Sequence, residues 1–129
     1  MNSLEAISEN GIILTHDNNP PPFTWMPRHH VDWTSPKRCG DSWKTIPLLR
    51  TREDLDVCTF EGDFGVGIIK KSKNRSPLVL KREHGLYEAV NQKNLEEPDF
   101  SLFDYNQLCQ DRRGILNLLT VEETIKWLE

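Results

Sequence analysis

The sequence predicts an α+β fold: a small, mostly antiparallel sheet with a central β-hairpin, and two C-terminal helices packed on it. Three observations carry this. β-forming runs bracket a basic stretch between Val57 and Val90. The turn dipeptide Asn10-Gly11 precedes the apolar run Ile12-Ile13-Leu14-Thr15. Over roughly the last thirty residues, apolar side chains recur at helical spacing around a capping box. A length of 129 residues fits one domain, 1–129. Leu, Ile, Val and Phe are 34 of those residues, about 26%, above the roughly 20% below which disorder is the default. A mean hydropathy of −0.60 with 28% charged residues makes the expected core modest.

From the N-terminus, Leu4 and Ile7 have the spacing of a one-turn helix, and Ile12–Thr15 reads as a strand. Residues 18–45 then hold five of the eight prolines (Pro20, Pro21, Pro22, Pro27, Pro36) and three of the four tryptophans (Trp25, Trp33, Trp43). Proline fixes φ and biases its predecessor toward extended backbone, while disordered linkers are poor in aromatics. An extended arm or long loop, pinned by its tryptophans, is the expectation. Thr51-Arg52-Glu53-Asp54 has the spacing of a degenerate capping box and predicts a helical turn there.

The hairpin is placed with one strand near Val57–Lys70 and the other near Leu78–Asn91, joined by the basic run between them. Gly62, Gly65 and Gly67 predict a bulge or bend inside the first strand. Leu102, Tyr105, Cys109 and Leu116 recur near helical period. Arg112-Arg113-Gly114 reads as a helix end with a left-handed glycine. Thr120 to Glu123 is a capping box opening the last helix, with Val121, Ile125 and Leu128 on one face. Phe103, Leu108, Leu116, Leu119, Ile125 and Leu128 are placed in the core on this periodicity.

Bulk properties restrict function. Net charge is −4 and the pI about 5.6, which argues against general nucleic-acid affinity, since phosphate neutralisation needs a basic surface. No run approaches the ~18 apolar residues of a membrane span, and Met1-Asn2-Ser3-Leu4-Glu5 lacks the basic and apolar regions of a signal peptide. Cys39, Cys58 and Cys109 are odd in number and widely spaced; reduced thiols in an intracellular, cytoplasmic compartment are expected. His16, His29, His30, His84 and the cysteines contain no Cys-x-x-Cys or His-x-x-x-His pair, so neither a metal nor a cofactor is assigned.

Two motifs resemble enzyme signatures. Gly62, Phe64, Gly65 and Val66, with Lys81 further on, are similar to part of the nucleotide lobe of protein kinases, which implies a phosphate loop followed by a phosphate-contacting lysine. Phe60, however, stands at the place of the first glycine, the chain has no His-Arg-Asp loop, and only 48 residues follow Lys81, too few for a catalytic lobe. Gly40-Asp41-Ser42 resembles the serine context of trypsin-like proteases, and Cys39-Gly40 with Trp43 that of papain-like ones. His29 or His30 is then the base, oriented by Asp17 or Asp32. Trp43 stands where trypsin-like enzymes have glycine, so a plain loop turn is expected and the chain is read as not an enzyme.

Two surfaces remain. Lys70, Lys71, Lys73, Arg75, Lys81 and Arg82 are six cations in thirteen residues with no acid among them. They suit docking on an acidic protein face, or contact with phosphates; the bland reading is a solubilising, edge-protecting hairpin. Trp25, Trp33 and Trp43 are interface-prone, or else pack on the domain itself. The leading expectation is a non-enzymatic binding protein, a small regulator, inhibitor or assembly factor that docks a partner with an acidic face. The alternative is a nucleic-acid-binding protein using the basic hairpin 70–82; protein is favoured because the chain is acidic and the run carries no aromatic for stacking. A small hydrolase around Ser42, His29 and His30 comes third.

Overall fold

The structure, a computed structural model, describes residues 3–21, 39–40, 42–78 and 105–129. Its elements in chain order are α1 (Ser3–Ala6), β1 (Ile12–Thr15), a 3-10 turn (Ser42–Lys44), α2 (Thr45–Leu49), β2 (Leu55–Phe60), β3 (Val66–Lys71), α3 (Tyr105–Gln110), α4 (Arg112–Leu116), β4 (Leu118–Leu119) and α5 (Val121–Leu128). The α+β class holds. The sheet has the order β1-β3-β2-β4. Both pairings of β3 are antiparallel, and β4 runs parallel to β2.

The hairpin is not where the sequence places it. The stretch 57–70, expected as one bent strand, is itself the hairpin: β2 and β3 joined by a turn at Glu61–Gly65. Asp63, Phe64 and Gly65 take φ of 50°, 59° and 87°, a run of left-handed backbone that no strand interior accommodates. A Cβ on Gly65 would stand 2.5 Å from the Asn19 amide nitrogen, so glycine is required for close approach as well as for φ. The basic run follows this hairpin. The expected second strand, Leu78–Asn91, lies outside the described residues apart from Leu78.

Strand alternation gives the sheet two faces. Leu55, Val57, Ile69 and Ile13 point to one side, and there the core forms with Trp43, Ile46, Tyr105, Leu108, Ile115 and Leu116. Of the residues placed in the core from sequence, Leu108 and Leu116 are fully buried and Leu119 is half-buried. Ile125 and Leu128 are exposed; Phe103 lies outside the described residues. Helix α2 was not anticipated, because Pro47 sits inside it. Proline is tolerated there since it occupies the first turn, where its missing N–H has no partner to lose. The Thr51–Asp54 segment closes this helix instead of opening one: the Thr51 hydroxyl donates to the Leu48 carbonyl at 2.7 Å.

The C-terminal region holds three short helices where two were expected. The break falls at Asp111, whose side chain accepts from the Gly114 amide at 2.9 Å and caps α4. Gly114 is therefore inside a helix and not at a left-handed end; a Cβ there would collide with the Asp111 carboxylate. The left-handed residue is Asn117 (φ 48°). Its side-chain amide donates to the Val57 carbonyl and the Ser76 hydroxyl, both at 3.0 Å, which sets β4 beside β2. The capping box of α5 is present as expected, with the Thr120 hydroxyl accepting from the Glu123 amide and the Glu123 carboxylate accepting from the Thr120 amide.

Candidate docking face

The side of the sheet opposite the core carries Ile12, Leu14, Ile68, Lys70, Asp56 and Cys58, by the cross-strand pairs Ile12↔Lys70, Leu14↔Ile68, Asp56↔Lys70 and Cys58↔Ile68. Helix α5 lies on this side. Lys70 Nζ is 4.3 Å from the centroid of the Trp127 ring and donates to the Trp127 carbonyl at 3.2 Å. The Arg75 guanidinium lies 5.0 Å from the same ring and donates to the same carbonyl at 2.8 Å. Arg75 Nε also donates to the buried Asp56 carboxylate, and the Arg75 amide donates to it at 3.3 Å. Two cations thus hold the last turn of α5, where helix carbonyls lack internal partners.

This clamp determines what α5 exposes. The helix turns Thr124 and half-buried Trp127 inward, and Glu123 is occupied by its cap and by Arg113 at 2.6 Å. Ile125 and Leu128, expected in the core, are instead 55 and 43% exposed, and Val121, on the same face of the helix, is 51% exposed. On β1, Ile12 and Leu14 are 46 and 66% exposed. Five of the six large apolar side chains exposed among the described residues therefore belong to one face of the sheet and to the helix laid on it; the sixth, Phe64, is at the hairpin turn.

The sequence-derived contact residues are redistributed. Lys70 and Arg75 are engaged with Trp127, Lys73 is exposed and Lys71 half-buried. The loop that carries them is held by Asn74, whose side chain donates to the carbonyls of Arg50 (2.9 Å) and Arg52 (2.8 Å). Its described part, up to Leu78, is thereby anchored to the end of α2. Trp43 is 1% exposed and belongs to the core, which removes it from any contact surface. Trp25, Trp33, Lys81 and Arg82 lie outside the described residues. Ile12, Leu14 and Trp127 were missed as contact-face residues. Their signal was an uncharged strand without the lysine or proline that usually blunts an edge, and a tryptophan near two cations only in space.

At Ser42, the hydroxyl donates to the carbonyls of Asp17 (2.8 Å) and Cys39 (3.2 Å) and starts the 3-10 turn. That is the loop-turn role. His29 and His30 lie outside the described residues. Among the described residues, no three His, Cys, Asp or Glu side chains are grouped so as to hold a metal ion, and no helix is long and apolar enough to cross a membrane. Burial, first of all, pushes the Cys58 thiol up to about 12. Compared with models of known families, with curated proteins and with solved structures, the chain matches none significantly.

Proposed function

We propose that this chain is a non-enzymatic binding protein, a regulator, inhibitor or assembly factor that docks a protein partner bearing an acidic face on the half-covered side of its sheet. The observation that supports this is the gathering of Ile12, Leu14, Val121, Ile125 and Leu128 on one side of the molecule. Apolar side chains scattered singly over a surface need no explanation, whereas a set on one face marks an interaction site. Charge supplies the partner's character. Lys70 and Arg75 stand at the β3 end of this face, with exposed Lys73 on the same loop and Lys126 on α5, against the exposed acids Glu122 on that helix and Glu129 just after it. A cationic border around an apolar centre steers an acidic partner into register.

Photo-crosslinkers placed at Leu14 and Ile125 in the cell that makes the protein name the partner, which is then purified for binding measurements. Leu14→Glu and Ile125→Glu should each weaken its affinity about tenfold or more, as central apolar contacts do, with little change in melting temperature. Lys73→Glu should slow association more than it speeds dissociation. Unchanged affinity in both apolar variants overturns the proposal. So do crosslinks to nucleic acid alone with binding that falls log-linearly with salt.

A further inference from the structure

Left-handed backbone gathers where β1 ends against the hairpin turn: Asp17 (φ 62°) on one segment, and Asp63, Phe64 and Gly65 (50°, 59°, 87°) on the other. Main-chain bonds strap the two together. The Asn18 amide donates to the Gly65 carbonyl at 3.0 Å and the Asn19 amide to the Phe64 carbonyl at 2.7 Å. Non-glycine residues in this region of backbone space are held there by their surroundings and relax when those surroundings loosen. Two side chains span the strap: Asn18, whose side-chain amide reaches the Gly65 carbonyl at 3.5 Å, and the titratable His16. Its Nε2 is 2.9 Å from Asp63 Oδ2 and its Nδ1 is 3.1 Å from Asp17 Oδ1.

A neutral imidazole carries one N–H and can donate to one of these carboxylates; the imidazolium donates to both. We propose that His16 is a pH-operated clasp that, when protonated, holds the exit of β1 onto the turn of the β2–β3 hairpin. Among the described residues, the charged groups acting on His16 are Asp17 from its own segment and Asp63 from the turn. The bond to Asp63, followed by the charge of Asp17, raises its pKa above the ordinary 6.5. A raised pKa in the folded state means the holding contribution is complete below 6.5 and is lost as the pH climbs through the raised value. The clasp is therefore closed in mild acid and opens as the pH climbs through that raised value. Opening leaves one carboxylate without its donor, and the strap at Asn18 and Asn19 loosens at the end of the strand that carries Leu14.

The test is an NMR titration of the full chain from pH 5 to 9, following the His16 ring together with hydrogen-exchange protection of the Asn18 and Asn19 amides, corrected for intrinsic exchange. His16 should titrate above 6.5, and protection at both amides should fall about two- to fivefold as it deprotonates, the scale of an exposed ion pair. Asp63→Asn should shift the titration downward and flatten the pH dependence of protection. His16→Gln should abolish that pH dependence while leaving the Ile69 amide, in the central strand, as protected as in the wild type. Equal protection on both sides of the His16 titration, or wild-type pH dependence in Asp63→Asn, overturns the proposal.

Discussion

Arg50 shows how much of this fold rests on one side chain. It is 5% exposed, and its guanidinium donates to the carbonyls of Gly114, Ile115 (2.9 Å) and Ser76 (2.8 Å). Its own carbonyl accepts from the Leu78 amide and the Asn74 side chain. One residue thus joins the end of α2, the basic loop and the end of α4. Burial, the largest influence, lowers its pKa, and Asp111 and Asp56 oppose that. Replacing Arg50 with Met keeps most of the apolar stem and leaves three carbonyls without a donor. We expect a loss of about 3–5 kcal/mol, given 1–3 kcal/mol per buried group left unsatisfied, read from the denaturant midpoint. Nothing in the sequence distinguishes Arg50 from the arginines around it. Its role depends on partners 26 to 65 positions away, and local pattern carries no information at that separation. Gly65 is the opposite case: a cluster of glycines marked the bend, although its character as a turn came from Asn19 crossing beside it.

At the scale of elements, α5 was the most legible segment and also the one whose orientation was misjudged. Thr120 and Glu123 cap each other as their spacing predicts. Thr120→Ala should cost about 0.5–2 kcal/mol, visible as a lower melting temperature. The Glu123 carboxyl is held below its ordinary 4.5, first by the Thr120 amide and then by Arg113. Its contribution is present above pH 4.5 and lost as the pH falls through the depressed value, so the penalty of Glu123→Gln should shrink in acid. Ile125→Ala, which a core position would make costly, should change stability by about 0.5 kcal/mol or less, as exposed sites do. Periodicity shows that an apolar stripe exists; it does not say whether the stripe or its flank meets the sheet. Here the clamp on Trp127 settles that. Arg75→Ala should therefore cost about 1–3 kcal/mol: it leaves Asp56 buried without its main partner, although half of the Arg75 side chain is in solvent. Lys73→Glu, on the exposed part of the same loop, should be close to neutral in melting temperature. Similar values for the two variants would mean that the clamp does not hold α5.

Over the whole molecule, the two faces of one sheet differ in kind. One is filled by the core; the other is half covered by α5 and leaves apolar side chains in solvent. The thiols report on this organisation. Cys39 and Cys58 are buried, Cys109 is exposed, and none is in a disulfide. Timed alkylation at pH 8 with mass spectrometry should modify Cys109 rapidly. Cys58, fully buried and with its pKa pushed up to about 12, should react only at the rate of global unfolding. Fast modification of Cys58 in the native protein would mean that the covered half of the sheet opens readily. Equal protection of all three would place Cys109 inside an interface.

The sequence by itself determined the features that rest on local chemistry. These are the α+β class, the strand at Ile12–Thr15 after its Asn-Gly turn, the capping box of α5, and the burial of Leu108 and Leu116. Each follows from neighbours within about one helical turn or one strand length, where spacing and side-chain type suffice. The tertiary structure alone decided where the hairpin turns, that the end of α4 is held by Arg50, that Trp43 lies inside, and that the apolar row of α5 faces out. Each of these was settled by a group distant in sequence. Asn19 packs on Gly65, Arg50 donates to the carbonyls of Gly114 and Ile115, and Lys70 and Arg75 hold Trp127. Such contacts form only once the chain has paid the entropy of bringing its segments together, so no window of local sequence records them.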